Sequence, residues 1–312
     1  MPKPKREVKV YNEEQKYRYL NSLNLNSFPP HYWDNFLTRL HSVESIKGKD
    51  ACNFNKFEIQ EMYKYLNYMT FESLFIDNNN LRNYTNWCMT QGLVTDGINH
   101  YKDFDGEELM SCVNLQQVHN SILTRDEILA GIKEIQNDRD RFIILGLFEG
   151  IRGKKFEDLV MLRLSDIDEL TAHLYSGKTV EISQTLYDIA KAAVDAEEYN
   201  VVRKNPVPMY GGRIIKVLGK RYYAGYDYMN EQNLYRVVER CIDEIGWSDR
   251  VSTNSIFVSG AIHMVKELAK QENISSLEVV EDDKLFRKVC DRYDINIITR
   301  RRFYYKYKDL LR

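Results

Sequence analysis

The sequence lacks most features that mark secreted, disulfide-bonded or membrane proteins. It contains only five cysteines and no CxxC pair, so we expect neither a disulfide framework nor a zinc site. No apolar run is long enough to cross a bilayer, and the first ten residues, MPKPKREVKV, lack the apolar stretch of a signal peptide. We therefore expect a soluble intracellular protein that has no membrane partner, no metal and no cofactor.

Proline is also scarce, and the net charge is small. Only 6 of the 312 residues are proline and 15 are glycine, whereas 22 are tyrosine, a composition typical of an ordered, mostly helical globular protein. The length suffices for two domains, each with its own core. Because the formal net charge is −2, the overall charge indicates no partner, and only local charge clusters can do so.

Helical patterns fill the first third of the chain. Asn55 and Glu58 have the spacing of a capping box, and an apolar helical face follows them. A second amphipathic pattern, SLFIDNNNLRNYTNWCMTQGLV, has Gly92 as its C-terminal stop. From Gly97 to Ser121 the periodicity fades. We therefore predict a boundary there, between a helical domain at 1–120 and a second domain at 121–312.

The second domain begins with another capping box, formed by Thr124 and Glu127, and RFIILGLFEG continues as a buried helix to Gly150. Farther on, the runs TAHLYS and KTVEIS are β-like and meet at Gly177, which predicts a small hairpin. A helix capped by Ser183 is then predicted to reach about residue 199, and helices resume near residue 231. The fold class is therefore mainly α with a small β hairpin or sheet.

The stretch GIRGKKFEDLVMLRLSDID, residues 150–168, is the most informative in the chain. An apolar helix ends in EGIRG, an amphipathic turn ends in LVMLRLSDID, and a hairpin and a further helix follow. This order resembles the catalytic domain of the tyrosine recombinases, or phage integrases, in which TGxR precedes a phrase close to LRWSDID. Arg152 stands at the first family arginine. Since the preceding helices resemble the family's core-binding domain, the resemblance implies a two-domain clamp.

The resemblance also implies a chemistry: a tyrosine attacks a DNA phosphodiester, two arginines hold the phosphate, and a lysine and a histidine handle protons. Lys178 lies near the hairpin-lysine position, and Tyr305 is the best positional match for the nucleophile. The family's HxxR motif is missing, because alignment puts Asn254 at its histidine and Phe257 at its arginine. Phenylalanine cannot donate to a phosphate. We therefore expect a phosphate clamp without catalysis, in which Arg152, Lys178 and Tyr305 are vestigial.

Clusters of basic residues are candidates for contacts with DNA, because such clusters are typical of nucleic-acid-binding proteins. For each cluster the alternative is an ordinary solvated surface. These side chains would position the protein on the backbone, whereas the side chains that read bases cannot be identified from the sequence. The candidates are Arg152, Lys154, Lys155 and Lys178; Arg203, Lys204, Lys220 and Arg221; and Arg300, Arg301 and Arg302.

The chain as a whole resembles the catalytically inactive, integrase-like master repressors of SPβ-type prophages. The resemblance implies a sequence-specific repressor in the bacterial cytoplasm, associated with the nucleoid, that binds repeated double-stranded operator sites and maintains lysogeny. The alternative is an active or accessory site-specific recombinase. The basic C-terminal helix either exchanges with a neighbouring copy, as in the family, or lies on DNA. An antirepressor protein or peptide would leave no motif in the sequence.

Overall fold

The structure, a computed structural model, describes residues 9–23, 30–201, 205–225 and 227–312. Arg203 and Lys204 lie outside the described residues, as do the side chains of Lys220 and Arg221. The chain divides into two compact units, one up to Val118 and one from His119 onward.

The first unit is helical, and short 3₁₀ turns at 51–53 and 100–103 connect its longer helices. The predicted capping box is confirmed, since the Asn55 side chain accepts from the Glu58 amide at 3.0 Å and the Glu58 carboxylate accepts from the Asn55 amide at 2.9 Å. Two short helices occupy the polar stretch in which no pattern was recognised. The helices are α1 (Glu13–Ser22), α2 (Pro30–Lys47), α3 (Lys56–Tyr65), α4 (Phe71–Thr90) and α5 (Gly106–Ser111), and α6 (Leu115–Asn120) crosses the boundary to the second unit.

A charged cluster lies inside this first unit. Lys16 Nζ is 2.7 Å from Glu44 Oε1 and 2.9 Å from Asp50 Oδ2, and all three side chains are almost fully buried. The Tyr84 hydroxyl donates to Asp50 at 3.0 Å. The cluster therefore connects α1, α2, the first 3₁₀ turn and α4. It contains two carboxylates and one ammonium group.

The second unit contains ten helices in its described part and two small sheets. Its helices are α7 (Arg125–Glu134), α8 (Asp138–Phe148), α9 (Glu157–Met161), α10 (Gln184–Asp195), α11 (Gly219–Tyr222), α12 (Glu231–Ile245), α13 (Thr253–Glu272), α14 (Ser276–Glu281), α15 (Asp283–Arg292) and α16 (Arg300–Tyr307). Its strands are β1 (Ile167–Asp168), β2 (Thr171–His173), β3 (Thr179–Glu181), β4 (Glu198–Tyr199), β5 (Val207–Tyr210) and β6 (Val217–Leu218).

Both sheets are antiparallel and have three strands, in the orders β1-β2-β3 and β4-β5-β6. The predicted hairpin is confirmed as β2–β3, in which Ala172 faces Val180. Ser183 caps α10 as predicted, but the helix ends at Asp195, and Tyr199 belongs to β4. The second sheet was not predicted, because its strands have only two to four residues and show no alternating pattern.

Helix α8 forms the centre of the second unit, with residues 142–148 essentially inaccessible to solvent. Helices α7, α10, α12 and α13 pack around it. Where α13 crosses α8, a Cβ atom on Gly260 would lie 1.7 Å from the Phe148 carbonyl oxygen. Only glycine permits this close approach. The end of α8 and the start of α13 are thereby fixed next to each other.

Among the described residues, none of the helices combines the length and apolar character needed to cross a membrane. The same part of the chain contains no group of three or more histidine, cysteine, aspartate or glutamate side chains arranged to hold a metal ion.

Candidate functional site

The turn after α8 has an unusual backbone. Four of its residues have positive φ angles: Gly150, Gly153, Lys155 and Phe156. Position 153 requires glycine for two reasons. Its φ angle is positive, and a Cβ atom there would lie 2.6 Å from the carboxyl carbon of Asp158. The turn is therefore tightly kinked, and it exposes Lys154 and Lys155 to solvent.

The β2–β3 hairpin holds this turn in place. Asp158, which is 2% exposed, accepts hydrogen bonds from the Ser176 amide at 2.8 Å and from the Ser176 hydroxyl at 2.9 Å. On the other side, Arg292 donates to the Glu149 carbonyl at 2.8 Å and to the Glu181 carbonyl at 2.7 Å. The turn, the hairpin and the end of α15 are thus tied together around the end of α8.

Arg152 lies on this turn, half-buried between two aromatic rings. Its guanidinium carbon is 5.3 Å from the ring centroid of Phe156 and 4.9 Å from that of Phe257. One terminal nitrogen donates to the Asn254 side-chain oxygen at 3.3 Å. Stacking on aromatic faces suits the planar guanidinium and fixes the direction of its donors. The two residues at the family's HxxR positions therefore both contact Arg152.

Phe257 belongs to the core and does not project into solvent. It is 4% exposed and packs edge-to-face on Tyr293, with 5.2 Å between the ring centroids. The Tyr293 hydroxyl donates to the Phe148 carbonyl at 2.8 Å, and burial raises the pKa of this phenol. Farther along α13, His263 packs against the Phe148 ring, and burial lowers its pKa. His263 is thus part of the packing around α8.

An open cleft of about 540 Å³ lies in front of Arg152. Lys154, Lys155 and the hairpin residue Lys178 share its wall with Arg152, so the structure brings together four of the predicted basic residues. Sequence reasoning missed the other contributors. Phe156 and Asp158 belong to the same stretch as Arg152, whereas Ser176, Glu231, Tyr235, Tyr293 and Asp294 come from distant parts of the chain and follow no motif.

The charge of Lys178 is paired within the cleft. Its ammonium group forms an ion pair with Asp294 and donates to the Asp291 carbonyl at 3.1 Å. In contrast, Lys154 and Lys155 make no ion pair within the part of the chain that the structure describes. Arg152 and these two lysines therefore supply the positive charge of the cleft.

Tyr305 is exposed on α16, and no residue of α16 is among the described residues that line the cleft. The buried side chains of Phe303 and Tyr307 anchor this helix, and the Phe303 ring lies 5.2 Å from that of Phe286. The ring nitrogen Nε2 of His119 donates to the Lys306 carbonyl at 2.8 Å. The C-terminal helix thus packs on the second unit of its own chain.

The remaining basic candidates whose side chains the structure describes lie on α16. Arg300 pairs with Asp283 and donates to the Glu281 carbonyl, whereas Arg301 and Arg302 are exposed on α16. Two further basic residues, which lie between Lys204 and Lys220 in the sequence, have internal roles. Arg213 donates to the Met161 carbonyl at 2.9 Å, and Lys216 donates to the Ala196 carbonyl at 2.8 Å. These two residues fasten the second sheet, so they add nothing to an external basic surface.

Comparison with known proteins covers both units. The family model described as "MrpR, C-terminal catalytic domain" matches residues 122–311, and "MrpR, N-terminal core-binding domain" matches residues 10–91. No curated protein matches the chain.

Two solved structures are similar to the chain at low sequence identity. A lambda integrase (75–356) dimer bound to a COC′ core site shares 14% identity with a TM-score of 0.44, covering 91% of this chain and 95% of that one. XerA recombinase shares 12% identity with a TM-score of 0.36, covering 90% of this chain and 98% of that one.

Proposed function

The chain belongs to the MrpR family and has a tyrosine-recombinase-like fold, and on this premise we propose that it is a sequence-specific DNA-binding repressor that grips the phosphate backbone without cutting it. The observation that carries the proposal is the environment of Arg152. The position aligned with the family's second arginine is Phe257, a buried ring that packs on Arg152. Loss of a single donor to a developing oxyanion typically costs about 10²–10³ in rate, and here an arginine and a histidine are both replaced.

The cleft suits a backbone phosphate. A guanidinium fork matches two phosphate oxygens, and lysines act as point charges beside it. Arg152 is oriented by its two aromatic neighbours, and Lys154 and Lys155 reach solvent at the same opening. Because contacts of this kind displace condensed counterions, we expect DNA affinity to fall steeply as salt concentration rises.

The biological role follows as part of the same proposal. Residues 1–120 would form a core-binding-like domain and residues 121–312 a catalytic-like domain that has lost its chemistry. A protein bound through two domains at repeated operators would block polymerase at prophage promoters and maintain lysogeny in the host cytoplasm. An antirepressor protein or peptide, or self-association through α16, would then adjust its occupancy of DNA.

Sequencing of DNA retained by the protein tests this function. Fragmented DNA from the source genome is passed over the purified full chain, and we expect many short related sites near promoters. A single pair of inverted repeats at a crossover-like site would instead favour the recombinase.

A second experiment tests whether the protein cleaves DNA. The retained DNA is incubated with the protein and analysed by denaturing electrophoresis. We expect no covalent complex. A covalent adduct that Tyr305→Phe abolishes would overturn the inactive assignment.

A further inference from the structure

A second cavity of about 220 Å³ lies on the face of α12 opposite the cleft at Arg152. It is enclosed by the start of α8, the strand β6 and the first turns of α12. Three of its lining residues are arginines, Arg139, Arg236 and Arg240. The ring of Tyr199 and apolar side chains such as Leu218 complete the wall. Neither the phosphate clamp nor the packing around α8 accounts for this combination.

The inner part of the cavity contains charged side chains that hold one another in place. Arg139 is 3% exposed, pairs with Asp140 at 3.0 Å and stacks on Tyr199, with its guanidinium carbon 4.2 Å from the ring centroid. Arg240 pairs with the same Asp140 carboxylate at 2.5 Å. The Tyr199 hydroxyl donates to that carboxylate at 2.6 Å. One buried carboxylate thus holds two guanidinium groups in fixed positions.

The outer part of the cavity has an excess of positive charge. Glu244 lies 3.4 Å from Arg240 Nε, which adds a second carboxylate to Asp140. Arg236 is exposed, lines the same cavity and makes no ion pair with any residue that the structure describes. Three guanidinium groups therefore face two carboxylates. An anion entering the cavity would meet Arg236 and Arg240 at its mouth.

We propose that this cavity binds a small organic anion that carries an apolar or aromatic body and one phosphate or carboxylate group. The guanidinium group of Arg236 suits the acidic group, since its fork matches two oxygens, and Arg240, which is held by Asp140 and Glu244, adds positive charge beside it. The apolar floor, which includes Leu218, Met229 and Val237, suits the body. With about 30 Å³ for each water-sized group, the space holds roughly seven such groups, enough for one ring with its acidic group at the mouth.

Isothermal titration of the full chain with phenyl phosphate tests the site. A well-placed ligand of about eleven non-hydrogen atoms reaches a Kd in the low millimolar range or tighter. Inorganic phosphate has the charge without the body, and phenol has the body without the charge. We expect each of them to bind at least about tenfold more weakly, because each loses one of the two kinds of contact.

Substitutions inside and outside the cavity test where phenyl phosphate binds. Arg236→Gln and Arg240→Gln should each weaken phenyl phosphate binding about tenfold, the effect of losing one charge-assisted contact. Arg287→Gln removes an exposed arginine on α15 that does not line the cavity, and it should leave the Kd unchanged. Arg152→Ala should also leave it unchanged, which separates this site from the phosphate clamp and makes the test independent of the proposed function.

The proposal is overturned if phenyl phosphate shows no binding up to about 10 mM, a concentration above the low-millimolar Kd expected for a well-placed ligand of its size. It is also overturned if binding survives in both Arg236→Gln and Arg240→Gln, or if Arg287→Gln or Arg152→Ala weakens it equally. Arg240→Gln removes one partner of Asp140, so its melting temperature is compared with that of the unaltered chain. Arg236 is exposed, and its variant decides the outcome if Arg240→Gln does not fold.

Discussion

At the scale of single residues, Arg152 differs from an ordinary surface arginine because two rings and an amide set its orientation. We predict that Arg152→Ala lowers DNA affinity about 10- to 100-fold, as expected for a charge-assisted contact worth about 1.5–3 kcal/mol. Arg152→Lys should recover little, because an ammonium group has no planar fork. Fluorescence anisotropy with a retained DNA site measures both variants.

The salt dependence gives this prediction a second readout. If Arg152 contacts one phosphate, Arg152→Ala should reduce the slope of log affinity against log salt by about 0.9. Lys270→Ala is the matched control, since Lys270 is an exposed cation near the far end of α13. Full affinity in Arg152→Lys would show that the site needs only a positive charge and would contradict the clamp geometry.

Asp294 limits the charge that the cleft presents, because it pairs with Lys178. We predict that Asp294→Asn raises DNA affinity by roughly two- to fivefold, a gain within the range of one partly exposed ion pair. Asparagine is a suitable replacement because residue 294 has a φ of 48°, which asparagine tolerates. Asp309→Asn, which releases Arg312, is the control. A loss of affinity in Asp294→Asn would mean that Lys178 needs its partner in order to be placed correctly.

The sequence predicted the basic residues of the cleft better than it predicted the residues that they contact. Arg152, Lys154, Lys155 and Lys178 were all predicted, and they share one cleft. The contacts of Arg152 with Phe257 and Asn254 and of Lys178 with Asp294 were not predictable. They join segments more than 100 positions apart, and no spacing rule connects such segments.

At the scale of secondary-structure elements, the crossing of α8 and α13 depends on Gly260. We predict that Gly260→Ala destabilises the second unit by about 3 kcal/mol or more, because the added methyl group would meet the backbone of α8. Gly106→Ala is the matched control, since a Cβ atom there meets nothing within 4 Å at the start of α5. Urea unfolding followed by circular dichroism compares the two variants. Equal stability would contradict the close crossing.

Elements with strong local signals were predicted well. The capping boxes at Asn55 and Thr124 and the hairpin at Gly177 are confirmed, because hydrogen bonds within a few residues determine them. The second sheet and the short helices α5 and α6 were missed. Their residues show no clear period, and their positions depend on contacts with the rest of their own units.

At the scale of the whole molecule, the cluster of Lys16, Glu44 and Asp50 gives stability a dependence on pH. Burial raises the pKa of Glu44 from 4.5 to about 7, and its Oε2 atom has no hydrogen-bond partner within the described residues. Burial opposes ionisation of Asp50 too, but Lys16 and the Cys52 amide hold the pKa of Asp50 below its usual value. The single ammonium group therefore stabilises one of the two carboxylates.

The sign of the Glu44 effect follows from its raised pKa. The folded state binds this proton more tightly than the unfolded chain, so the contribution is complete below pH 4.5 and is lost as the pH rises through about 7. We predict that Glu44→Gln removes this loss, which amounts to about 3 kcal/mol at most. Urea unfolding at several pH values measures it, with the exposed Glu61→Gln as control. Identical pH profiles for Glu44→Gln and the unaltered chain would contradict it.

The fold class was predictable from the order of elements around residues 150–168, and the family match confirms a tyrosine-recombinase-like fold. The net charge of the chain did not indicate where a ligand would bind. With 44 basic and 46 acidic residues, the near-neutral total conceals local excesses in the two cavities of the second unit. Cavities form where several elements meet, so neither could be identified from any one segment.

Helix α12 forms a wall shared by both of these cavities. Glu231 and Tyr235 face the cleft, where Tyr235 packs edge-to-face on Phe156, whereas Arg236 and Arg240 face the second cavity. A ligand that shifts this helix from one side alters the surroundings of Arg152 on the other. If binding in one cavity shifts α12, thermodynamic reciprocity requires DNA and the small anion to change each other's affinity by the same factor.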